Sequence, residues 1–190
     1  MPNSPSKHPI TASMLYDLVT CPHRVTMDLF ANPEERDNAS PFVQLLWERG
    51  AVREREVVAV LGRAFVDLST YVGAEKERRT IEAMNRSELL IFGGRISSDD
   101  LLGQPDLLRK EGTGYIAGDI KSGAGEEGGN DDSDGKPKKQ YAVQLALYTD
   151  ILERLGHSAG RRAFVWDVRG QEVVYDFSTQ ANHQSELWSL

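Results

Sequence analysis

The chain predicts an α/β fold, a mixed central sheet flanked by helices, and three observations carry that prediction. Short strand-like runs alternate with helical stretches along most of its 190 residues. Two of the runs, Leu101 to Leu108 and Gly114 to Lys121, read as a hairpin with Lys110-Glu111-Gly112-Thr113 as the turn. A long apolar helix then precedes a second hairpin, Arg162 to Val168 and Gln171 to Phe177, turning at Arg169-Gly170.

Taken in order, residues 1 to about 10 are rich in Pro and Ser and are expected to be disordered. Thr11 or Ser13 is placed to cap a helix carrying Met14, Leu15, Leu18 and Val19. Cys21-Pro22 breaks it, and Pro22 suits the first turn of a second helix through Val25, Met27, Leu29 and Phe30. Asn32 to Ser40 is a polar loop. Pro41 to Leu61 reads as an amphipathic helix with Val43, Leu46, Trp47, Val57, Val60 and Leu61 on apolar faces, ended by Gly62. A short strand over Arg63 to Leu68, a charged helix over Thr70 to Asn85 and a strand over Leu89 to Ile96 lead to the first hairpin. Lys138 to Leu155 is a helix stopped by Gly156. One domain over 11–177 is expected, with 178–190 a tail that could open a further region or meet a protein partner. The sequence does not give an oligomeric state.

The segment 123–139 holds five Gly and five acids before Lys136 and is expected to be a flexible loop. Two patterns in it are decoys. Gly123-x-Gly125-x-x-Gly128 matches a dinucleotide fingerprint, but Glu126 and Glu127 would repel phosphates and no helix follows for about ten residues. Asn130-x-Asp132-x-Asp134-Gly135 opens like a calcium loop, yet its twelfth position is Tyr141 rather than a bidentate Glu.

The bulk composition, 39% hydrophobic and 27% charged, is that of an ordinary globular chain long enough for a full core. There is no run of about 18 apolar residues, so no membrane partner is expected. The N-terminus lacks the apolar core of a secretory signal. The single cysteine, Cys21, excludes an internal disulfide and fits a reducing cytoplasm. It reads as a packing residue. The net charge of −7 argues against a broad nucleic-acid footprint, though local basic groups remain at Lys136, Lys138, Lys139, Arg161 and Arg162. The histidines at 8, 23, 157 and 183 have no ligand spacing, and no zinc, Walker or nucleophilic-serine pattern is present.

The chemistry concentrates in Gly103-Gln104-Pro105-Asp106 and Gly118-Asp119-Ile120-Lys121. If the turn centres between Glu111 and Gly112, Asp106 faces Ala117, and Asp119 lies diagonally from it within roughly 7–8 Å. Lys121 shares that face through the two-residue alternation of a strand. Two carboxylates and an ammonium at one strand end suit a divalent cation and a phosphate. Gln144 and Tyr148, one helical turn apart, point together from an otherwise apolar helix.

Pro105-Asp106 followed by Asp119-Ile120-Lys121 resembles the PD-(D/E)xK nuclease superfamily. Gln144-x-x-x-Tyr148 resembles the motif of its RecB-like branch, which includes the CRISPR-associated exonucleases. Leu15 to Pro22 is similar to a stretch preceding the nuclease core there. The resemblance spans about Ile10 to Phe177. It implies a restriction-endonuclease-like fold and a metal-dependent nuclease hydrolysing DNA, single-stranded or at duplex ends. It implies Mg²⁺ or Mn²⁺ held by Asp106, Asp119 and the Ile120 carbonyl, with Lys121 catalytic and Gln144 and Tyr148 contacting the lysine or the DNA backbone. The branch also carries Gly-x-x-His-Glu, matched here by Gly50-Ala51-Val52-Arg53-Glu54, which leaves Glu54 as the ligand, with Glu56 or a plain exposed-face role for Glu54 as the alternatives. Arg53 stands at the histidine position, and a guanidinium has no free lone pair for a metal. An all-oxygen shell suits magnesium. No iron–sulfur cluster is expected, since four cysteines are lacking. The alternative is a catalytically weak or inactive nucleic-acid-binding or assembly module on the same fold.

Overall fold

The computed structural model describes residues 8–60, 64–127 and 136–178. The expected disorder of the first residues, the Gly62 helix stop, His183, the tail beyond Ser178 and both decoy patterns lie wholly or partly outside the described residues. A short strand β1 (Ile10–Thr11) enters α1 (Ala12–Thr20), capped by the Thr11 hydroxyl, which accepts from the Met14 N–H at 3.2 Å. Cys21 closes α1 and opens α2 (Pro22–Phe30), with Pro22 in its first turn. Cys21 is exposed, so its reading as a packing residue is corrected. A 3-10 turn over Pro33–Glu35 lies in the polar loop before α3 (Pro41–Val60).

Then follow β2 (Val66–Asp67), α4 (Gly73–Asn85), β3 (Leu90–Phe92), β4 (Ile96–Ser98), β5 (Leu101–Gly103), β6 (Leu107–Glu111) and β7 (Gly114–Ile120). The ends of the Gly-rich segment pair as a ribbon of β8 (Glu126–Glu127) and β9 (Lys136–Pro137). The chain ends its described part with α5 (Lys139–Arg154), β10 (Ser158–Trp166) and β11 (Glu172–Asp176).

The central sheet has six strands in the order β11-β10-β7-β6-β3-β2. It is mixed: β10 runs parallel to β7, and β6 antiparallel to both β7 and β3. A second sheet of three strands, β1-β5-β4, stands beside it. Side-chain alternation sorts the central strands into two cores. Leu108, Tyr115, Ala117, Ala163 and Val165 face α1, α4 and α5. Leu107, Ile116, Ile120 and Phe164 face Val57 and Val58 of α3. Asp119 and Lys121 continue the first set and therefore point toward α5.

The fold is the mixed α/β architecture expected, with three local corrections. The run from Leu101 to Leu108 is not one strand: Pro105 has no N–H to give a ladder, and β5 and β6 on either side join different sheets. Leu89 to Ile96 likewise divides into β3 and β4. The hairpin register is displaced by two residues, because Leu108 pairs with Ala117 and the loop is Gly112-Thr113. Gly112 takes φ +55, a conformation that favours glycine at the first position of a two-residue hairpin loop. Asp106 therefore faces Asp119 rather than Ala117.

The long helix α3 also departs from its expected pattern. Val57 and Val58 are buried, but Leu46 and Trp47 are 51% and 65% exposed. Helix α5 is the opposite case, with Leu145, Ile151 and Leu152 fully enclosed. It stops in a Schellman closure: the Gly156 N–H donates to Glu153 O and the His157 N–H to Leu152 O, with Gly156 at φ +72. Among the described residues no helix is long and apolar enough to cross a membrane.

Candidate active site

At the end of β7 a cavity of about 220 Å³ is lined by Glu54, Asp106, Asp119, Ile120, Lys121, Gln144 and Tyr148, together with Thr11 to Ser13, Leu102 and Gln104. Four elements bring these groups together. The β6–β7 hairpin supplies both aspartates and the lysine. The enclosed apolar face of α5 fixes Gln144 and Tyr148 over the same strand end. Helix α3 delivers Glu54 from the other side of the sheet, and the entry to α1 forms the remaining wall.

Asp119 is 2% exposed, a costly place for a carboxylate. Its Oδ2 lies 2.8 Å from the Lys121 ammonium. The contact is an ion pair without an aligned hydrogen bond, and Oδ2 has no other polar partner among the described residues. The ammonium also donates to Gln144 Oε1 at 2.9 Å. Gln144 Nε2 lies 3.5 Å from the Tyr148 hydroxyl, which donates to the Gln104 carbonyl at 3.4 Å. Asp106 is tied to the neighbouring strand, accepting from the Ile120 N–H at 2.7 Å.

The electrostatics follow from this crowding. Burial, then the charges of Asp119 and Glu54, hold the Asp106 pKa well above the ordinary carboxylate value. Burial and the Asp119 charge raise Glu54 in the same direction. Burial opposes the charge on Lys121, but the charge of Asp119, its contact and the charge of Asp106 outweigh it and raise the lysine. Burial, with the two aspartates behind it, keeps the Tyr148 phenol protonated far above neutral pH.

The donor set suits a hard divalent cation: carboxylates from Glu54, Asp106 and Asp119, with one buried oxygen lacking an aligned partner. Among the described residues no three acidic, His or Cys side chains close on a common point as they stand. The ammonium of Lys121 and the Ile120 N–H occupy the inner oxygens of the two aspartates instead.

The structure therefore gathers Glu54, Asp106, Asp119, Ile120, Lys121, Gln144 and Tyr148 about one cavity. It does not bring the arginines there. Arg161 pairs with Glu153 at 3.0 Å and Arg162 with Glu111 at 2.9 Å, and neither lines the cavity. Lys136 and Lys139 are exposed on either side of Lys138. Lys138 reaches toward the site: its ammonium lies 5.4 Å from the Tyr141 ring, which has Lys121 at 5.2 Å. Tyr141 was missed in the sequence, although it stands three residues before Gln144 on the same face of α5. It also stacks on Tyr16 of α1, with ring centroids 6.2 Å apart. The wall from Thr11 to Ser13 was missed too, for want of a signal that Ile10 and Thr11 pair with Leu101 and Leu102.

Residues 18–189 match the family model of the PD-(D/E)XK nuclease superfamily, and the chain belongs to that superfamily. Membership brings a nuclease-type function, which in this superfamily is generally supported by divalent ions such as Mg²⁺ or Mn²⁺. No curated protein matches the chain.

Proposed function

We propose that the chain is a metal-dependent DNase of the RecB-like exonuclease type, acting on single-stranded DNA or duplex ends. The observation that carries this reading is the Lys121 ammonium, ion-paired with Asp119 and hydrogen-bonded to Gln144 inside a cavity shared with Asp106 and Glu54. Asp106, Asp119, Glu54 and the Ile120 carbonyl are the groups proposed to hold Mg²⁺ or Mn²⁺. When bound, the ion supplies an activated water and polarises the scissile phosphate. Lys121 stays protonated at neutral pH, and its Nζ can meet the attacking water or the charge developing on phosphate oxygen. Gln144 holds that ammonium by accepting a hydrogen bond from it. Tyr148, neutral and anchored to Gln104, holds Gln144 in place. Lys138, flanked by Lys136 and Lys139, is the basic group best placed to take a neighbouring backbone phosphate.

The experiment is incubation of purified protein with labelled single- and double-stranded DNA in Mg²⁺ or Mn²⁺. Cleavage lost in both Asp119→Ala and Lys121→Ala supports the reading, and cleavage surviving either refutes the site. One observation favours a second reading, a nucleic-acid-binding module with little catalysis. Arg53 stands where the resembling branch carries a histidine, and its guanidinium reaches the carbonyls of Asp167 and Val168 instead of the cavity. DNA binding without divalent-cation binding at millimolar concentration would support it.

A further inference from the structure

Arg53 has no place in the proposed chemistry, yet it sits beside Glu54 and turns away from the cavity. Successive residues on a helix point about 100° apart. While Glu54 lines the cavity, the Arg53 guanidinium reaches the turn between β10 and β11. Its Nη2 donates to the carbonyls of Asp167 and Val168 at 3.5 and 3.4 Å. These bonds are long but carry a full positive charge at one end.

The turn they reach is closed by its own hydrogen bonds and is bonded to the chain at the site. The Asp167 carboxylate, 2% exposed, accepts from the N–H groups of Arg169 and Gln171 at 2.8 and 3.0 Å. The Val168 N–H donates to the Gly123 carbonyl at 3.2 Å, and the Lys121 N–H donates to the Trp166 carbonyl at 2.9 Å. The same few residues thus hold the chain on both sides of Ser122 and receive Arg53 from α3. Helix α3 needs such a tie, because Val57 and Val58 are its buried anchors and Phe42, Leu45, Leu46, Trp47 and Val52 are exposed. An apolar anchor near one end leaves the tilt of the rest of the helix weakly fixed. Glu54 stands one turn before that anchor on the same face, so the tilt of α3 there sets how closely its carboxylate approaches the cavity.

We propose that Arg53 is a positioning residue: by clamping α3 to the β10–β11 turn it sets the carboxylate of Glu54 against Asp106 and Asp119. It does so at the position where the resembling branch carries a histidine. The inference rests on the proposed cation site, and its test separates the two.

The test is calorimetric titration of the whole chain with Mn²⁺ in the wild type, Arg53→Gln, Glu54→Gln and the double variant, with Arg53→Lys as a milder substitution. Outer partners of metal ligands typically account for roughly 10-fold or more in affinity. Arg53→Gln should weaken Mn²⁺ binding by about 10-fold in the wild-type background and leave it unchanged in the Glu54→Gln background. Arg53→Lys, which can reach one carbonyl, should fall between. An equal loss in both backgrounds, or no loss, overturns the role of Arg53 while leaving the cation site standing. Weakened DNA binding with unchanged Mn²⁺ affinity overturns it in favour of a phosphate contact. A wild type that binds no Mn²⁺ at millimolar concentration overturns the cation site and this inference together. If Arg53→Gln fails to fold, Arg53→Lys carries the comparison in both backgrounds.

Discussion

Asp119 and Lys121, two residues apart at the end of β7, form an ion pair of 2.8 Å in which the acid is almost wholly enclosed. The pair explains how two carboxylates and an ammonium coexist at one strand end. Lys121 neutralises Asp119, whereas Asp106 lowers its own cost by favouring its protonated form.

Removing the ammonium should therefore cost more than removing both charges. Lys121→Met strands the Asp119 carboxylate in the interior and should lower stability by about 3 kcal/mol at neutral pH. Lys121→Met combined with Asp119→Asn should recover most of that loss. Because the lysine's pKa is raised, its stabilisation is present below the ordinary value of 10.5 and is lost only as pH rises through the raised value. Urea denaturation of the three proteins checks this, and a single variant as stable as the wild type would contradict it.

Asp106 should make the metal-free protein less stable as pH rises. Its folded pKa is raised above 3.8, so between that value and the raised one the native state holds a proton that the unfolded chain has released. Stability then falls with increasing pH across the window. Asp106→Asn can still accept from the Ile120 N–H and should gain about 1–3 kcal/mol at neutral pH, with little gain at pH 3. Thermal melts of both proteins from pH 3 to 8 without divalent ions read the difference. A gap that does not widen with pH rules the account out. Mn²⁺ affinity of the wild type should climb over the same range, as Asp106 and Glu54 give up protons.

Gly103 lies against the ring of Tyr148, and a Cβ there would fall 2.6 Å from its Cδ1. Gly103→Ala should push the ring and loosen Gln144 beneath Lys121. The expected outcome is a drop in DNA cleavage of about 10-fold or more for a displacement near 1 Å, with Mn²⁺ affinity nearly unchanged. Full cleavage in a folded Gly103→Ala protein would show that Tyr148 has no positioning role.

Gly118 offers a purely structural contrast on the other face of β7. A Cβ there would sit 2.2 Å from the Phe164 ring, which the Arg109 guanidinium covers at 4.2 Å. Gly118→Ala should destabilise by about 1–3 kcal/mol, measured in urea. Phe164→Leu in the same chain should relieve part of that loss; no relief would place the strain elsewhere.

Much of this arrangement was legible in the residue order. The apolar stretch up to the Gly156 stop identified α5 and put Gln144 one turn from Tyr148. The alternation of Tyr115, Ala117 and Asp119 put the acid and Lys121 on one face. The register was not legible, because Glu111-Gly112 and Gly112-Thr113 are both acceptable turn centres and the choice depends on the φ of Gly112. The break at Pro105 was missed because Leu101, Leu102, Leu107 and Leu108 share one apolar run, although their sheets differ. Helix α3 misled for a related reason. Its apolar residues promise a buried face, but only the second half meets the sheet.

The central claim is that the side chains at the end of β7 hold a cation together with Glu54. Anomalous diffraction from crystals grown with Mn²⁺ tests it most directly. One strong peak is expected within about 2.0–2.3 Å of carboxylate oxygens from Asp106, Asp119 and Glu54, with the Lys121 ammonium moved off Asp119 Oδ2. A peak outside this cavity, or an empty cavity at millimolar Mn²⁺ with Lys121 still on Asp119, would contradict it.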